Sequence, residues 1–238
     1  MKNRSLLIVS LICFTFGLFS SALYAQSFQL TFEGLQDLEE VREFYNGGTG
    51  SMGSSGPNYG VSFTNTALAI IDSDATGGTG NFANEPSPDT IVFWTAGASV
   101  VMNVAAGFQT GFSFYYSSSV PTTVTVYDGL GATGNILATI NLTAQFATNC
   151  TGDPNGVFCN WSADGASFAG TARSVDFSGG ANQTAYDNIT FGSSNPVLPP
   201  SGAGAAPIPT LSEWAMILLV VLMGLIGTNA VMRRQQGI

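Results

Sequence analysis

"GFSFYYSSSVPTTVTVYDG", residues 111–129, decides the fold class. Phe112, Phe114 and Tyr116 alternate with Ser113 and Tyr115, a Ser/Pro turn follows, and Val124 and Val126 then alternate with Thr123 and Thr125. Period-two apolar patterning marks a strand with one buried face. Tyr115 and Tyr116 point to opposite faces, so one faces the core and the other faces out.

The same pattern recurs outward along the chain. "FQLTF" (28–32) puts Phe28, Leu30 and Phe32 on one face, and "GVSFT" (60–64) does so with Val61 and Phe63. "SVVMNV" (99–104), "NILATINL" (135–142), "SVDFSG" (174–179) and "QTAYDNITFG" (183–192) are short, rich in β-branched or aromatic residues, and bounded by turn formers. Such spacing predicts an all-β fold, a jelly-roll β sandwich over residues 26–192. "GLQDLEEVREFY" (34–45) spaces Leu35, Leu38, Val41 and Tyr45 by three and four, which fits a short helix across the sheet ends or an irregular loop. Residues 143–170 are the least patterned and read as a loop with one strand around residues 157–162. "GGTGSMGSSG" (47–56) lacks G-K-[ST] and reads as a flexible loop, not a phosphate cradle.

The ends speak about address. "MKNR" is basic, "SLLIVSLICFTFGLFS" is apolar, and small residues follow, so residues 1–25 read as a secretory signal peptide with cleavage after Ala22 or Ala25. "SSNPVLPPSGAGAAP" (193–207) reads as a spacer. From Trp214 to Met232 there is no charged side chain. That stretch is about 28 Å long as a helix, against a hydrocarbon core of about 30 Å. The Arg233 and Arg234 pair at its end belongs on the cytoplasmic side.

Between the ends there are two arginines, Arg42 and Arg173, no lysine and fourteen acids, a net charge of −12. That repels phosphate backbones and excludes nucleic acid as a partner. It suits divalent cations and neutral polysaccharide. The absence of histidine excludes Ser-His-Asp and Cys-His catalysis in their usual forms. Cys150 and Cys159 in "CTGDPNGVFC" are an even pair in an exported body, and their role is to staple a loop as a disulfide.

Ile208, Pro209, Thr210, Leu211 and Trp214, followed by the apolar span and the Arg pair, resemble the IPTL-CTERM tail, a variant of the bacterial PEP-CTERM sorting signal. That pattern has a glycine after the tryptophan, where Ala215 stands here. The resemblance implies recognition by an exosortase, a membrane-embedded transpeptidase that cuts near the motif, so that residues 208–238 with helix 214–232 anchor the chain only until processing. "FEGL", "FYNGG", "GPNYGVSF", "NFANEPSPDT", "VTVYDG" and "YDNITFGS" resemble, in order, the extracellular domain of many PEP-CTERM-type proteins. That resemblance implies a jelly roll akin in architecture to carbohydrate-binding modules.

Candidate site residues follow from chemistry. First and last strands of jelly-roll modules often pair, so Glu33 and Asp187 are expected to hold a structural Ca²⁺ with backbone carbonyls. "DSDATGG" (72–78) offers Asp72 and Asp74 as a second, partial calcium pattern; the bidentate glutamate is missing because Ala83 stands at position twelve. A sugar site needs exposed aromatics, and Trp161 beside the cysteine loop and Tyr116 are the candidates. A glycosidase needs two carboxylates flanking one bond. Glu39, Glu40 and Glu43 crowd one segment, and no strand carries E-x-D-x-x-E, so a non-catalytic role is expected. The expectation is an exported surface or matrix protein working in adhesion or exopolysaccharide association. The alternatives are a structural matrix protein without a specific ligand and, less favoured, a glycoside-active enzyme.

Overall fold

The computed structural model describes residues 28–97, 99–147, 150 and 156–197, and their regular structure is all β. The segment expected as a signal peptide (1–25), most of the expected spacer, the motif residues Ile208, Pro209, Thr210, Leu211, Trp214, Arg233 and Arg234, and the apolar stretch 214–232 lie outside the described residues. The strands are β1 (Gln29–Leu30), β2 (Val61–Phe63), β3 (Leu68–Ile71), β4 (Thr90–Phe93), β5 (Ser99–Ser118), β6 (Thr122–Tyr127), β7 (Ile136–Leu142), β8 (Ser162–Ser178) and β9 (Thr184–Phe191). The main path runs β3-β4-β9-β5-β8-β6-β7, with β1 beside β9 and β2 beside β5, and every pairing is antiparallel.

This single sheet folds over on itself along β5 and β8. Val100 of β5 pairs with Phe177 of β8, and further along the same two strands Phe112 pairs with Ala166. Yet the Phe177 ring lies 6.2 Å from that of Phe112 and 6.3 Å from that of Phe114. The two halves of β5 therefore face each other across the core. One layer holds β3, β4, β9, β1 and the facing halves of β5 and β8; the other holds β2, β6, β7 and the remaining halves. The bend sits where the register shifts around Phe108. Gly107 there has φ +77°, and a Cβ would come 2.4 Å from Thr171 Cγ2, so only glycine fits the corner.

Inward alternation fills the interior. Val100, Met102, Val104, Phe112, Phe114 and Tyr116 from β5 meet Val124 and Val126 from β6 and Tyr186, Ile189 and Phe191 from β9. Each large side chain removed from water contributes about 1.5–3 kcal/mol. Trp94 stacks on Tyr186 at 6.1 Å, closing one end.

One alternative is decided and two readings are corrected. Residues 34–45 take the irregular-loop alternative and form turns, because Gly34, Leu38 and Arg42 take positive φ and break the helical path. Leu35, Val41 and Tyr45 are still buried, but Leu38 is exposed. The strand expected near residues 157–162 instead begins at Ser162 and runs to Ser178. The glycine-rich loop 47–56 is mostly exposed but is held against the body at Gly50 and Gly56. A Cβ on Gly50 would come 2.4 Å from Glu39 Oε1, and one on Gly56 would come 2.4 Å from the Phe44 ring. Glu39 itself is fully buried and accepts hydrogen bonds from the Gln36, Met52 and Ser54 amides at 2.9, 2.9 and 3.1 Å. Burial pushes its carboxyl up, but these N–H groups outweigh that and leave its pKa lowered.

Candidate functional site

β9 is buried on both faces. Asn188 has φ +50°, and the β5 register shifts opposite it between Ser113 and Tyr115. Tyr186 before the bulge and Ile189 and Phe191 after it join the main core. Ala185 belongs instead to a second, smaller cluster with Phe82 and Ile91, against which Ile70, Phe158 and Trp161 pack. That cluster lies on the other face of β3, β4 and β9. It encloses a half-open hollow of about 170 Å³. Ile70, Ile91, Phe93 and Ala185 make its floor, and Phe82 and Phe158 wall it. Asn81, Thr95, Asn182 and Gln183 line it as well, all four exposed at its rim, and so does the buried Thr184, whose hydroxyl is bonded to that of Ser118 at 2.7 Å. No charged side chain lines the hollow.

The loop 81–90 brings Asn81 and Phe82 to the hollow, and both of its ends are tied down. At one end Asn81 O accepts from Val157 N at 2.7 Å and Phe158 N at 3.2 Å, and Ala83 N donates to Phe158 O at 3.2 Å. The Trp161 indole N–H donates to Ala83 O at 3.0 Å, and its ring meets Phe82 edge-on at 6.4 Å. Cys150 and Cys159 form the expected disulfide, with Cα atoms 5.2 Å apart, next to Phe158. At the other end Asp187 takes the Ser87 amide at 2.7 Å and the Ser87 hydroxyl at 2.8 Å. Glu33 takes the Asp89 and Thr90 amides at 3.1 and 3.0 Å and the Thr90 hydroxyl at 3.2 Å.

Glu33 and Asp187, paired from sequence, are thus brought to one short segment, 87–90. Asp187 is fully buried. Burial pushes its carboxyl up to about 7, against the pull of the Ser87 hydrogen bonds, and the Glu33 charge adds to the rise. Glu85, on the same loop, is pushed up to about 8, chiefly by burial and then by the charges of Asp72, Asp187 and Asp74. Neither arginine of the body answers them: Arg42 pairs with Glu40, and Arg173 donates to Ala105 O. Asn188, next to Asp187, is also fully buried, and neither atom of its amide has a partner. Among the described residues no three carboxylates or cysteines stand close enough to share a metal ion.

Asp72 and Asp74 occupy a turn, where Asp72 Oδ1 accepts the Asp74 amide at 3.3 Å. Trp161 is half-buried and does not line the hollow, because its N–H is committed to the loop. Tyr116 is the inward member of its pair. It is only 4% exposed and its hydroxyl donates to Thr143 O, which removes it from any solvent-facing site. Glu40 bonds Arg42 and Glu43 bonds Asn46.

The hollow's own residues escape sequence reasoning. Ile70, Ile91 and Phe93 stand in the apolar runs "LAII" and "TIVF", which lack alternation because both faces of β3 and β4 are covered. The one usable signal is that apolar character bounded by turn formers.

The IPTL-CTERM motif model matches residues 206–235. The chain carries an IPTL-CTERM motif. This sorting motif implies an exported, surface-directed protein. No curated protein sequence matches the chain. Among solved structures it is similar to a family 6 carbohydrate-binding module, at 18% identity over 56% of this chain and 87% of that one, with a TM-score of 0.34. It is similar also to a module from Cellvibrio mixtus lichenase 5A in complex with cellotriose, at 14% identity over 54% and 88%, with a TM-score of 0.32. A third is the K2 cleaved adhesin domain of Lys-gingipain, at 11% identity over 70% and 98%, with a TM-score of 0.43.

Proposed function

We propose that this IPTL-CTERM protein is a non-catalytic, jelly-roll surface protein that associates with a neutral polysaccharide through the hollow over β4 and β9. The observation that carries the reading is the lining: aromatic and aliphatic walls, a rim of side-chain amides, and no charge. Mostly apolar pockets with a few placed polar groups are how proteins hold small ligands. Amides both donate to and accept from hydroxyls, while the acidic body turns anions away. Nothing at this site supplies a pair of carboxylates to a glycosidic bond, since Asp187 and Glu33 face the 87–90 segment and do not line the hollow.

Delivery rests on the tail. An exosortase-type transpeptidase would recognise Ile208, Pro209, Thr210 and Leu211, with the 214–232 helix holding the chain at the membrane until it is cut. Ca²⁺ is the cofactor we propose for Glu33 and Asp187. The fit is a buried carboxylate with a second in electrostatic reach, no basic partner, and an orphaned amide beside it. A bound cation would supply the missing positive charge and hold the 87–90 segment that the two acids already grip.

Titration of the mature protein with the neutral polysaccharide of its own host tests the binding. Saturable binding is expected, weakened about tenfold or more by Phe93→Ala, since roughly 1.4 kcal/mol of lost ring contact is a factor of ten. Absence of binding to that polysaccharide leaves a purely structural matrix role in its place.

A further inference from the structure

We infer that the hollow takes one neutral pyranose unit bearing a methyl group, a 6-deoxyhexose or an N-acetylhexosamine, and seats that methyl on the floor made by Ile70, Ile91 and Ala185. The inference rests on the polysaccharide reading and narrows it. The polar groups of this site are unevenly placed. Asn81, Asn182 and Gln183 are exposed at the rim and the buried hydroxyl of Thr184 is already bonded to that of Ser118, while the floor is apolar and the aromatic rings of the lining are phenylalanines. Phenylalanine carries no hydroxyl or N–H with which to meet a sugar hydroxyl. A fully hydroxylated face pressed onto this floor would lose its water bonds and gain none in return. A ring with one apolar end and one polar end matches both zones at once.

Size argues the same way. Sites for drug-sized ligands run to roughly 300–1,000 Å³. A hollow of about 170 Å³ suits one unit, entered methyl first, rather than a chain laid along a groove. That describes a side branch or a chain end. Charge excludes the uronic and sulfated alternatives, because the lining is neutral and the surrounding body carries −12.

Saturation-transfer NMR and titration on the mature protein test this with paired free sugars, which carry no aglycone methyl: L-rhamnose against L-mannose, L-fucose against L-galactose, and N-acetyl-D-glucosamine against D-glucose. Burying one methyl is worth about fourfold in affinity. The methyl-bearing member of at least one pair is expected to bind fourfold or more tighter, with its methyl protons saturated more strongly than its ring protons. Whether the 6-deoxy or the acetamido pair responds names the source of the methyl. Ala185→Leu fills the floor and should abolish this preference; a melting scan separates that loss from misfolding, and Ile70→Phe at the half-buried edge of the same floor repeats the test. Equal affinity within every pair, or tighter binding of the hydroxylated members, overturns the methyl inference while binding to the host polysaccharide keeps the broader reading alive. Silence from every sugar and from that polysaccharide removes both.

Discussion

Raising the pH from 4 to 8 in the presence of a chelator should destabilise this protein, the reverse of the behaviour expected where carboxylates are well paired. Asp187 is the reason. Its carboxyl is raised from the ordinary 3.8 to about 7, first by burial and further by the Glu33 charge. Below about pH 4 the group is protonated in both the folded and the unfolded chain, and its contribution is complete. As the pH climbs, the unfolded chain gives up its proton first, so stability falls until the folded carboxyl ionises near 7. A shift of about three units at roughly 1.4 kcal/mol each makes the total loss about 4 kcal/mol. Asp187 is fully buried, so solvent screening does not reduce this figure. Glu85 acts in the same direction and extends the decline towards pH 8. Glu39 acts in the opposite direction but elsewhere: its lowered pKa gives stability that is lost only as the pH falls below its ordinary 4.5. Urea unfolding at half-unit steps of pH, with EDTA, measures the slope. Asp187→Asn should flatten about half of it, Glu85 supplying the rest, and millimolar Ca²⁺ should shrink it by favouring the ionised form. Stability that stays level or rises between pH 4.5 and 7 in the unsubstituted protein would refute the reasoning.

Glu39→Gln should cost about 1.5–3 kcal/mol in a denaturant midpoint, since a buried charge-assisted cluster of three amides loses its acceptor charge. Reduction of Cys150–Cys159, a loop closed over a sequence separation of 9, should cost about 2–3 kcal/mol by calorimetry and weaken polysaccharide binding, because Phe158 walls the hollow. Gly165→Ala should cost about 1–3 kcal/mol by the same assay: its Cβ would come 2.5 Å from both Ser113 Cβ and Ser194 O.

The sandwich was legible where one face of a strand is buried. Val124 and Val126 against Thr123 and Thr125 announce β6 directly. β5 reads as two strands because Ala105, Ala106 and Gly107 interrupt its alternation, and that interruption is the corner itself. The first half of β8, "SADGASFAG", hides because small residues fit where Gly165 approaches Ser113 and Ser194. Glu33 and Asp187 could be paired from the expected closeness of first and last strands, and β1 does pair with β9. The hollow could not be foreseen, because it draws Ile70, Phe82, Phe93, Phe158 and Ala185 from separate segments whose meeting depends on the fold.

The place where the chain leaves the domain has a mechanical meaning. β9 is hydrogen-bonded to β5 along one side and to β4 and β1 along the other. Immediately after it Gly192 donates to Gly111 O, and Thr110 Oγ1 donates to Gly192 O. A pull on the exported protein through its tail therefore enters along an interior strand. The load is shared by many bonds in shear instead of peeling an edge one bond at a time. A body held to a surface by that end would keep its fold under flow at forces that would unzip a sandwich tethered through an edge strand.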